Sequence, residues 1–254
     1  MINTKRHCWY GLTSLGFLAC ALVARALAQD IPQRSTYGVD LAFRSGHADR
    51  GFNINDRPVI QPAMWLSGSG TELSVWSSFA VAQTTDGGRP QILELELTHE
   101  QTWGHVTVAP AIRMFVYHDA LSADRDRSLE GWLTLSYDVG PFSLFTRHSL
   151  DVLTYQGAYF VDAGISSDTR VSPPLEIGGS LGAGWASASF NEAYAGIARR
   201  ALNRVSAETW LTVYVKRFYV GPHFEFSTIV DPAVRAAAAR PTYLLVRLSL
   251  GGEF

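Results

Sequence analysis

The chain has 254 residues, of which 47% are hydrophobic and 17% charged, and its formal net charge is −2 at pH 7. The mean hydropathy is only +0.04, and after residue 28 no apolar run approaches the roughly 20 residues that a membrane-spanning helix needs. The small acidic excess argues against nucleic acid as a partner, because such proteins usually present basic surfaces.

The first 28 residues have the three parts of a secretory signal peptide. A basic start with Lys5 and Arg6 precedes an apolar run, and Ala26-Leu27-Ala28 has the small-residue pattern of a cleavage site. We predict cleavage after Ala28, followed by a short periplasmic segment at 29–36. Both cysteines lie within the signal, so the mature chain has no thiol for a disulfide or a metal site.

The mature sequence alternates between apolar and polar residues in many short segments. In the segment 37–44 the set Tyr37, Val39, Leu41 and Phe43 alternates with smaller or polar residues. Such a period of two is typical of membrane β-barrel strands, in which one face contacts lipid and the other faces the lumen. We therefore predict an all-β, transmembrane, antiparallel up-and-down β-barrel of about twelve strands over 37–254. The candidate strands are 37–44, 58–66, 72–81, 93–98, 103–117, 128–138, 142–149, 153–165, 175–186, 205–216, 218–229 and 242–254.

The predicted connections alternate between short turns and longer polar loops. Outer-membrane barrels have short periplasmic turns and long external loops, so the alternation predicts that both termini are periplasmic. Two connections do not fit, because the predicted external link 149–153 is short and the predicted periplasmic link 166–174 is long. In the strand 175–186, the small residues are interpreted as relieving crowding or permitting a bend; they are Gly178, Gly179, Gly182, Ala183 and Gly184.

The last strand ends in Phe254. A terminal Phe on an amphipathic strand resembles the signal that the barrel-assembly machinery recognises, which predicts that machinery and the lipids of a bacterial outer membrane as partners. Aromatic residues near strand ends are expected to form interfacial girdles. The candidates are Trp65, Trp103, Phe142, Tyr155 and Phe218.

Residues 50–61 read RGFNINDRPVIQ, with an Arg50-Gly51 pair, a polar stretch containing Asp56, and Pro58 three residues before Gln61. This motif, with the strand before it and the segment up to residue 80, resembles the amino-terminal signature of the TorF porin family, an outer-membrane barrel family of unknown function. The resemblance implies a barrel with pore activity and no catalytic residues. From the residues alone, the motif is interpreted as a well-shaped external loop. Gly51 can take backbone angles that a bulky residue cannot, Asp56 can hydrogen-bond its own turn, and Pro58 stands at a strand start where no ladder N–H is lost. The alternative is that Arg50 and Arg57 line the mouth or bind an anionic ligand there.

Extending the same phase gives a set of charged residues of both signs that are predicted to line the lumen. Acids outnumber bases among them, which favours a narrow pore for passive diffusion of small solutes with a preference for cations. A salt-bridged lumen that only rigidifies the wall is the alternative. The lumen set is Asp40, Arg44, Glu94, Glu96, Arg113, Glu130, Arg147, Asp162, Glu208, Glu225 and Arg247.

Two other functions stay open. Outer-membrane lipid hydrolases place a His/Ser pair on one face of a strand, but His148 and Ser149 are adjacent and would point to opposite faces. The chain is therefore not expected to be an enzyme. A non-conducting barrel that presents its loops to a partner is the remaining alternative. No histidine pair has metal-ligand spacing and no phosphate-binding loop is present, so neither a metal nor a cofactor is predicted.

Overall fold

The computed structural model describes residues 35–81, 91–117 and 127–254. The predicted signal peptide lies outside these residues. Within these described residues, the chain forms fifteen strands and two short helices. The strands are β1 (Thr36–Arg44), β2 (His47–Asp49), β3 (Phe52–Asn55), β4 (Val59–Gly68), β5 (Thr71–Ala80), β6 (Ile92–His99), β7 (Gln101–Trp103), β8 (Val106–Tyr117), β9 (Arg127–Val139), β10 (Phe142–Asp151), β11 (Tyr159–Ser172), β12 (Leu175–Ala186), β13 (Ala201–Val215), β14 (Phe218–Ile229) and β15 (Thr242–Glu253); the helices are α1 (Ala188–Ala195) and α2 (Pro232–Ala237).

Twelve of these strands form one closed antiparallel barrel. The order around the ring is β1, β4, β5, β6, β8, β9, β10, β11, β12, β13, β14 and β15, and β15 pairs with β1 to close it. The short strand β7 continues β6 along β8, while β2 and β3 pair only with each other. The predicted up-and-down barrel of about twelve strands is confirmed.

Alternate residues along each strand differ sharply in exposure. On β15, Leu244 is 63% exposed, whereas its neighbours Tyr243 and Leu245 are 7% and 6% exposed. Leu181 on β12 is likewise 61% exposed. Exposed apolar side chains in this phase form the outer surface of the barrel, which suits lipid contact. Among the described residues, no helix has the length and apolar character needed to cross a membrane.

The two ends of the barrel differ in the length of their connections. At the end that we call the turn end, successive strands are joined by two-residue turns at 69–70, 104–105, 140–141, 173–174 and 216–217. Both ends of the described chain also lie there, since Tyr37 and Phe254 exchange backbone hydrogen bonds of 3.0 and 2.8 Å. The opposite, loop end carries the longer connections, including 45–58, 152–158, 187–200 and 230–241.

The seventh predicted connection, at 149–153, and the predicted strand after it were wrong. The predicted strand 153–165 is instead β11 (Tyr159–Ser172), so the loop-end link is longer and the turn-end link is the two-residue Pro173-Pro174 turn. Asp151 holds the loop in place by accepting hydrogen bonds from the backbone N–H groups of Leu153 and Tyr155, at 2.8 and 3.1 Å. The last residues of β11 are polar on both faces, which removed the period-two signal.

Three glycines let side chains on the lumen wall reach across an intervening strand. Gly178 lies in register between Trp210 of β13 and Asp168 of β11, and the Trp210 indole N–H donates to Asp168 at 2.9 Å. In the same way, Gly251 lies between Tyr219 and Asp40, and Gly184 between Arg204 and Asp162; those pairs are joined at 2.8 and 2.9 Å. The interpretation of Gly178 and Gly184 as relieving crowding is therefore confirmed.

Replacing Gly178 by Ala should destabilise the barrel by about 1–3 kcal/mol, the usual cost of overpacking. A Cβ there would lie 2.3 Å from the Trp210 ring and 2.4 Å from the Asp168 carboxylate, so the hydrogen bond between them would break. Guanidinium unfolding in lipid vesicles would measure the change. Gly131→Ala is the matched control, because nothing lies within 4 Å of a Cβ at that position. Equal effects of the two substitutions would contradict the expectation.

Candidate functional site

The hairpin of β2 and β3 folds into the barrel. Its two turn residues, Arg50 and Gly51, have positive φ angles of 47° and 96°, which matches the tight hairpin turn that favours Gly. A Cβ on Gly51 would lie 3.0 Å from the Arg204 side chain of β13. The tip of the hairpin therefore packs against the inner wall rather than extending from the loop end.

Arg50, at the tip, is bonded to the far side of the barrel. Its guanidinium donates two hydrogen bonds of 3.0 Å to the Glu130 carboxylate on β9 and one of 3.2 Å to the Ser149 hydroxyl on β10. β10 lies six strands from β1 in the ring of twelve, which is diametrically opposite. Such a ring has a backbone diameter of about 24 Å, and six extended residues reach about 20 Å. The hairpin and the Arg50 side chain together span the lumen.

Helix α1 completes the closure of the loop end. Ser187 caps its first turn by accepting a hydrogen bond from the Phe190 backbone N–H at 3.2 Å, and Gly196 ends it with a φ of 69°. The Tyr194 hydroxyl accepts a hydrogen bond from the Arg50 guanidinium at 2.5 Å, and the Tyr194 ring stacks on Phe190 at 4.3 Å. We call the hairpin, α1 and the buried residues packed with them the loop plug. The buried apolar members are Phe52, Ala158, Phe160, Ala186, Phe190, Ala201, Ile229 and Val234.

The loop plug combines closely packed apolar side chains with buried hydrogen bonds. Phe190 is 1% exposed and Ile229 and Val234 are fully buried. Asn191 of α1 and Asn203 of β13 exchange two side-chain amide hydrogen bonds, of 3.0 and 2.5 Å. Although burial opposes charge on Arg50, the neighbouring Asp49 and Glu130 carboxylates raise its pKa above the ordinary value. The guanidinium therefore stays charged within the plug.

These contacts correct the interpretation of residues 50–61 as an external loop. Arg50 is buried against the protein's own carboxylates, which leaves it no role as an anion ligand at the mouth, while Arg57 is exposed. Gln61 is also buried, within 3.3 Å of His47. Asp56 pairs with Arg240 at 2.7 Å instead of bonding its own turn. The predicted conformation at Gly51 and the placement of Pro58 just before β4 agree with the structure.

Most of the predicted lumen residues have partners on the inner wall. Arg113 pairs with Glu94 at 3.6 Å and with Glu96, and Arg44 pairs with Glu225. The others with polar partners are Glu130 with Arg50, Asp162 with Arg204, Glu208 with His223 and Asp40 with Tyr219. Arg147 lies over the Phe145 ring at 4.4 Å, and Arg247 lines a cavity. Their role in lining a pore stays a prediction.

Two cavities open in the turn-end half of the lumen. The larger, of about 550 Å³, is lined by the carboxylates Asp40, Glu208 and Glu253 and by Arg247. The smaller, of about 420 Å³, is lined by Glu72, Glu96 and Glu100 and has no basic residue on its wall. In the part of the chain that the structure describes, these two cavities lie in the turn-end half, which is rich in carboxylates, while the loop plug packs inside the loop-end half.

The adjacent residues His148 and Ser149 lie on opposite faces of β10. His148 is in register with Val161 on the outer face and its ring contacts the Tyr159 hydroxyl at 2.6 Å. Ser149 is 2% exposed and bonds to Arg50 inside the barrel. The two cannot act as one catalytic pair.

The expected aromatic girdle is only partly present. Trp103, Phe142 and Phe218 are exposed, at 59%, 49% and 52%, close to the turn end. Trp65 was wrongly included, because its ring lies over Gly38 on the inner wall. Tyr155 was also wrongly included, since it packs against the loop plug.

Solved porin structures share this architecture. The KdgM porin has 10% sequence identity and a TM-score of 0.48, and the match covers 86% of this chain and 98% of that chain. The NanC porin has 11% identity and a TM-score of 0.49 with the same coverage. OmpF of Salmonella typhi has 10% identity and a TM-score of 0.43, covering 87% and 98%.

No protein-family model matches the chain, and no curated protein matches it. The resemblance to the TorF family stays a prediction.

Sequence reasoning missed the aromatic and amide members of the loop plug, notably Phe190, Asn191 and Tyr194. The sequence did contain a signal for α1. Ser187 before the eight helical residues is a residue type that favours the N-cap, and Gly196 after them is a type that favours the C-terminal end. His47 was missed as well. Its place next to Gln61 follows only from the inward fold of the hairpin.

Replacing Arg50 by Met should cost about 3–5 kcal/mol of unfolding free energy, because the Glu130 carboxylate would remain buried without its cation. Adding Glu130→Gln should restore most of that loss. A double-mutant cycle from guanidinium unfolding in vesicles measures the coupling between the two side chains. Arg57→Ala is the control from the same loop and should be nearly neutral. Additive effects of the Arg50 and Glu130 substitutions would contradict the assigned ion pair.

His47 should make the barrel less stable at acidic pH. Burial, with a smaller contribution from Arg44 that outweighs Asp49, lowers its pKa from 6.5 to about 4. Below pH 6.5 the unfolded chain takes up a proton that the folded hairpin rejects, so stability falls between pH 6.5 and 4, by about 3 kcal/mol at most. Unfolding free energies of wild type and His47→Gln at pH 7.5, 5.5 and 4 test this. A difference between them that does not change with pH would contradict it.

Proposed function

We propose that the chain is an outer-membrane pore for small solutes, with a preference for cations, that the loop plug holds closed in this conformation. The observation that carries the proposal is the division of the lumen into two halves. The loop plug packs inside one half, and the other half contains two cavities lined by six carboxylates and one guanidinium. An open, acidic vestibule below a closed gate is the arrangement expected of a gated cation-preferring pore.

The negative charge of the residues that line the cavities favours cations over anions. A cavity lined by charges of one sign and walled by low-dielectric material concentrates counter-ions. The inner-wall arginines are largely engaged in pairs, with Arg44 on Glu225 and Arg113 on Glu94 and Glu96. Glu72, Glu100 and Glu253, by contrast, lie near the turn-end rim of the cavities, where mobile cations can reach them.

The contacts of the loop plug favour the interpretation that it is a movable gate and not a permanent part of the wall. Its hairpin pairs only with itself in the sheet and is tied to the far wall mainly through one side chain, Arg50. Loosening that link requires no barrel strand to separate from its neighbours. Membership of the TorF family, a bacterial outer-membrane location and a periplasmic turn end are parts of the same proposal.

Single-channel recording in planar bilayers tests the proposal, using the mature chain from residue 29. Wild type should be closed most of the time, and Arg50→Met with Glu130→Gln should raise the open probability at least tenfold. This pair removes the link to the far wall and leaves no unpaired carboxylate at position 130. Arg57→Ala should behave as wild type.

Selectivity is tested on the open variant in a salt gradient. The reversal potential should indicate cation preference, and Glu72→Gln with Glu100→Gln should move it toward zero. Glu192→Gln, on exposed α1 surface, is the matched control. Anion preference would contradict the assigned charge. Silence of both wild type and the open variant, with heat-shifted gel mobility showing that they are folded, would favour the non-conducting, loop-presenting barrel.

A further inference from the structure

The larger turn-end cavity is built from three levels of side chains across adjacent strands. The backbone register puts Arg44, Arg247 and His223 at one level, on β1, β15 and β14. Two residues nearer the turn end, Ala42, Ser249 and Gly221 form a level of small residues. The next level holds Asp40, Gly251 and Tyr219. The small middle level leaves the space between two levels of large polar and aromatic groups.

The sheet itself is irregular at this point. Pairing of β13 with β14 is interrupted between Trp210–His223 and Val213–Val220, next to Pro222. A proline inside a barrel strand removes a ladder hydrogen bond and is otherwise disfavoured there. The irregularity coincides with the cavity wall, which Gly221, Pro222 and Thr212 help to form.

The cavity combines aromatic faces with carboxylates. Trp210, Tyr214 and Tyr219 line it together with Asp40, Glu208 and Glu253. Against these three acids stands one guanidinium, Arg247, and His223 is already directed toward Glu208 at 3.2 Å. Tyr214 already holds a cation on its ring, since the Arg170 guanidinium lies 5.0 Å from the ring centroid.

From this combination we infer that the cavity is a binding site for a small organic cation, an ammonium group carried on an apolar body. Carboxylates attract the charge, and aromatic faces favour a cation with an apolar surface over a strongly hydrated metal ion. The volume of about 550 Å³ falls within the range of about 300–1,000 Å³ that small-molecule pockets occupy. The inference rests on the proposed pore, to which it adds the class of solute.

The test compares probes of one shape and different charge. Benzylamine, which is protonated at pH 7.5, should bind the folded full-length mature barrel in detergent at least tenfold more tightly than benzyl alcohol or benzoate, by isothermal titration calorimetry. Potassium chloride at the same ionic strength should not displace it. Because binding is measured without conduction, loss of binding and loss of pore activity are separate outcomes.

Three sets of variants assign the binding to this cavity. Asp40→Asn with Glu208→Gln should weaken benzylamine binding at least tenfold, whereas Glu176→Gln, an acid outside the cavity, should not. Trp210→Leu should weaken it about threefold and Trp210→Phe should retain most of it. Arg247→Gln should strengthen it at least threefold, because a like charge is removed. Heat-shifted gel mobility verifies that each variant is folded.

Four results would overturn the inference. Tighter binding of benzoate, with loss of that binding in Arg247→Gln, would make the cavity an anion site. Equal binding of benzyl alcohol would make it a merely apolar cavity. Displacement of benzylamine by potassium ions would reduce the interaction to general electrostatics. Absence of measurable binding by wild type would exclude the site altogether.

Discussion

A closed ring of twelve strands encloses more space than its own inward side chains can fill, yet too little for a wide aqueous channel. The inside of this barrel follows from that constraint. In the loop-end half the space is filled by the β2–β3 hairpin and α1, and in the turn-end half it remains open and is lined by carboxylates. The two halves are not organised independently, because the hairpin that fills one half begins three positions after the end of β1, whose inner face lines the other half.

The backbone conformation and the burial of Arg50 both cost free energy, and this cost restricts where the tip of the hairpin can lie. Arg50 has a positive φ, which is uncommon for a residue with a side chain, and its charge is buried. The two hydrogen bonds to Glu130 and the contacts with Ser149 and Tyr194 offset these costs only when the tip lies against β9 and β10. A buried ion pair adds little net stability but penalises alternative positions strongly. The pair therefore specifies where the hairpin lies more than it strengthens the barrel.

Features that depend on neighbouring residues could be predicted from the sequence, whereas features that depend on contacts between distant residues could not. Lipid imposes a period of two on every spanning strand. Apolar residues such as Leu93, Leu95 and Leu97 therefore allowed the number of strands and the charged inner face to be predicted from the sequence. The signal fades where strands extend beyond the apolar belt, and there the ends of β11 were misjudged. The fold of residues 50–61 into the lumen was not readable, since Arg50 and Glu130 are 80 positions apart and no local pattern links them.

The cavity and the plug meet at Arg44. This residue ends β1, pairs with Glu225 and lies in register with Arg247 of the cavity wall. Three positions later, His47 begins the hairpin, and the charge of Arg44 is one of the causes that lower the pKa of His47. A positive charge entering the cavity would lie near the Arg247 guanidinium and, through the register partner Arg44 of Arg247, would also repel Arg44. A change in the position of Arg44 acts on β2, the first strand of the plug. By thermodynamic linkage, a change in the position of the plug must alter the affinity of the cavity for a cation by the same coupling free energy.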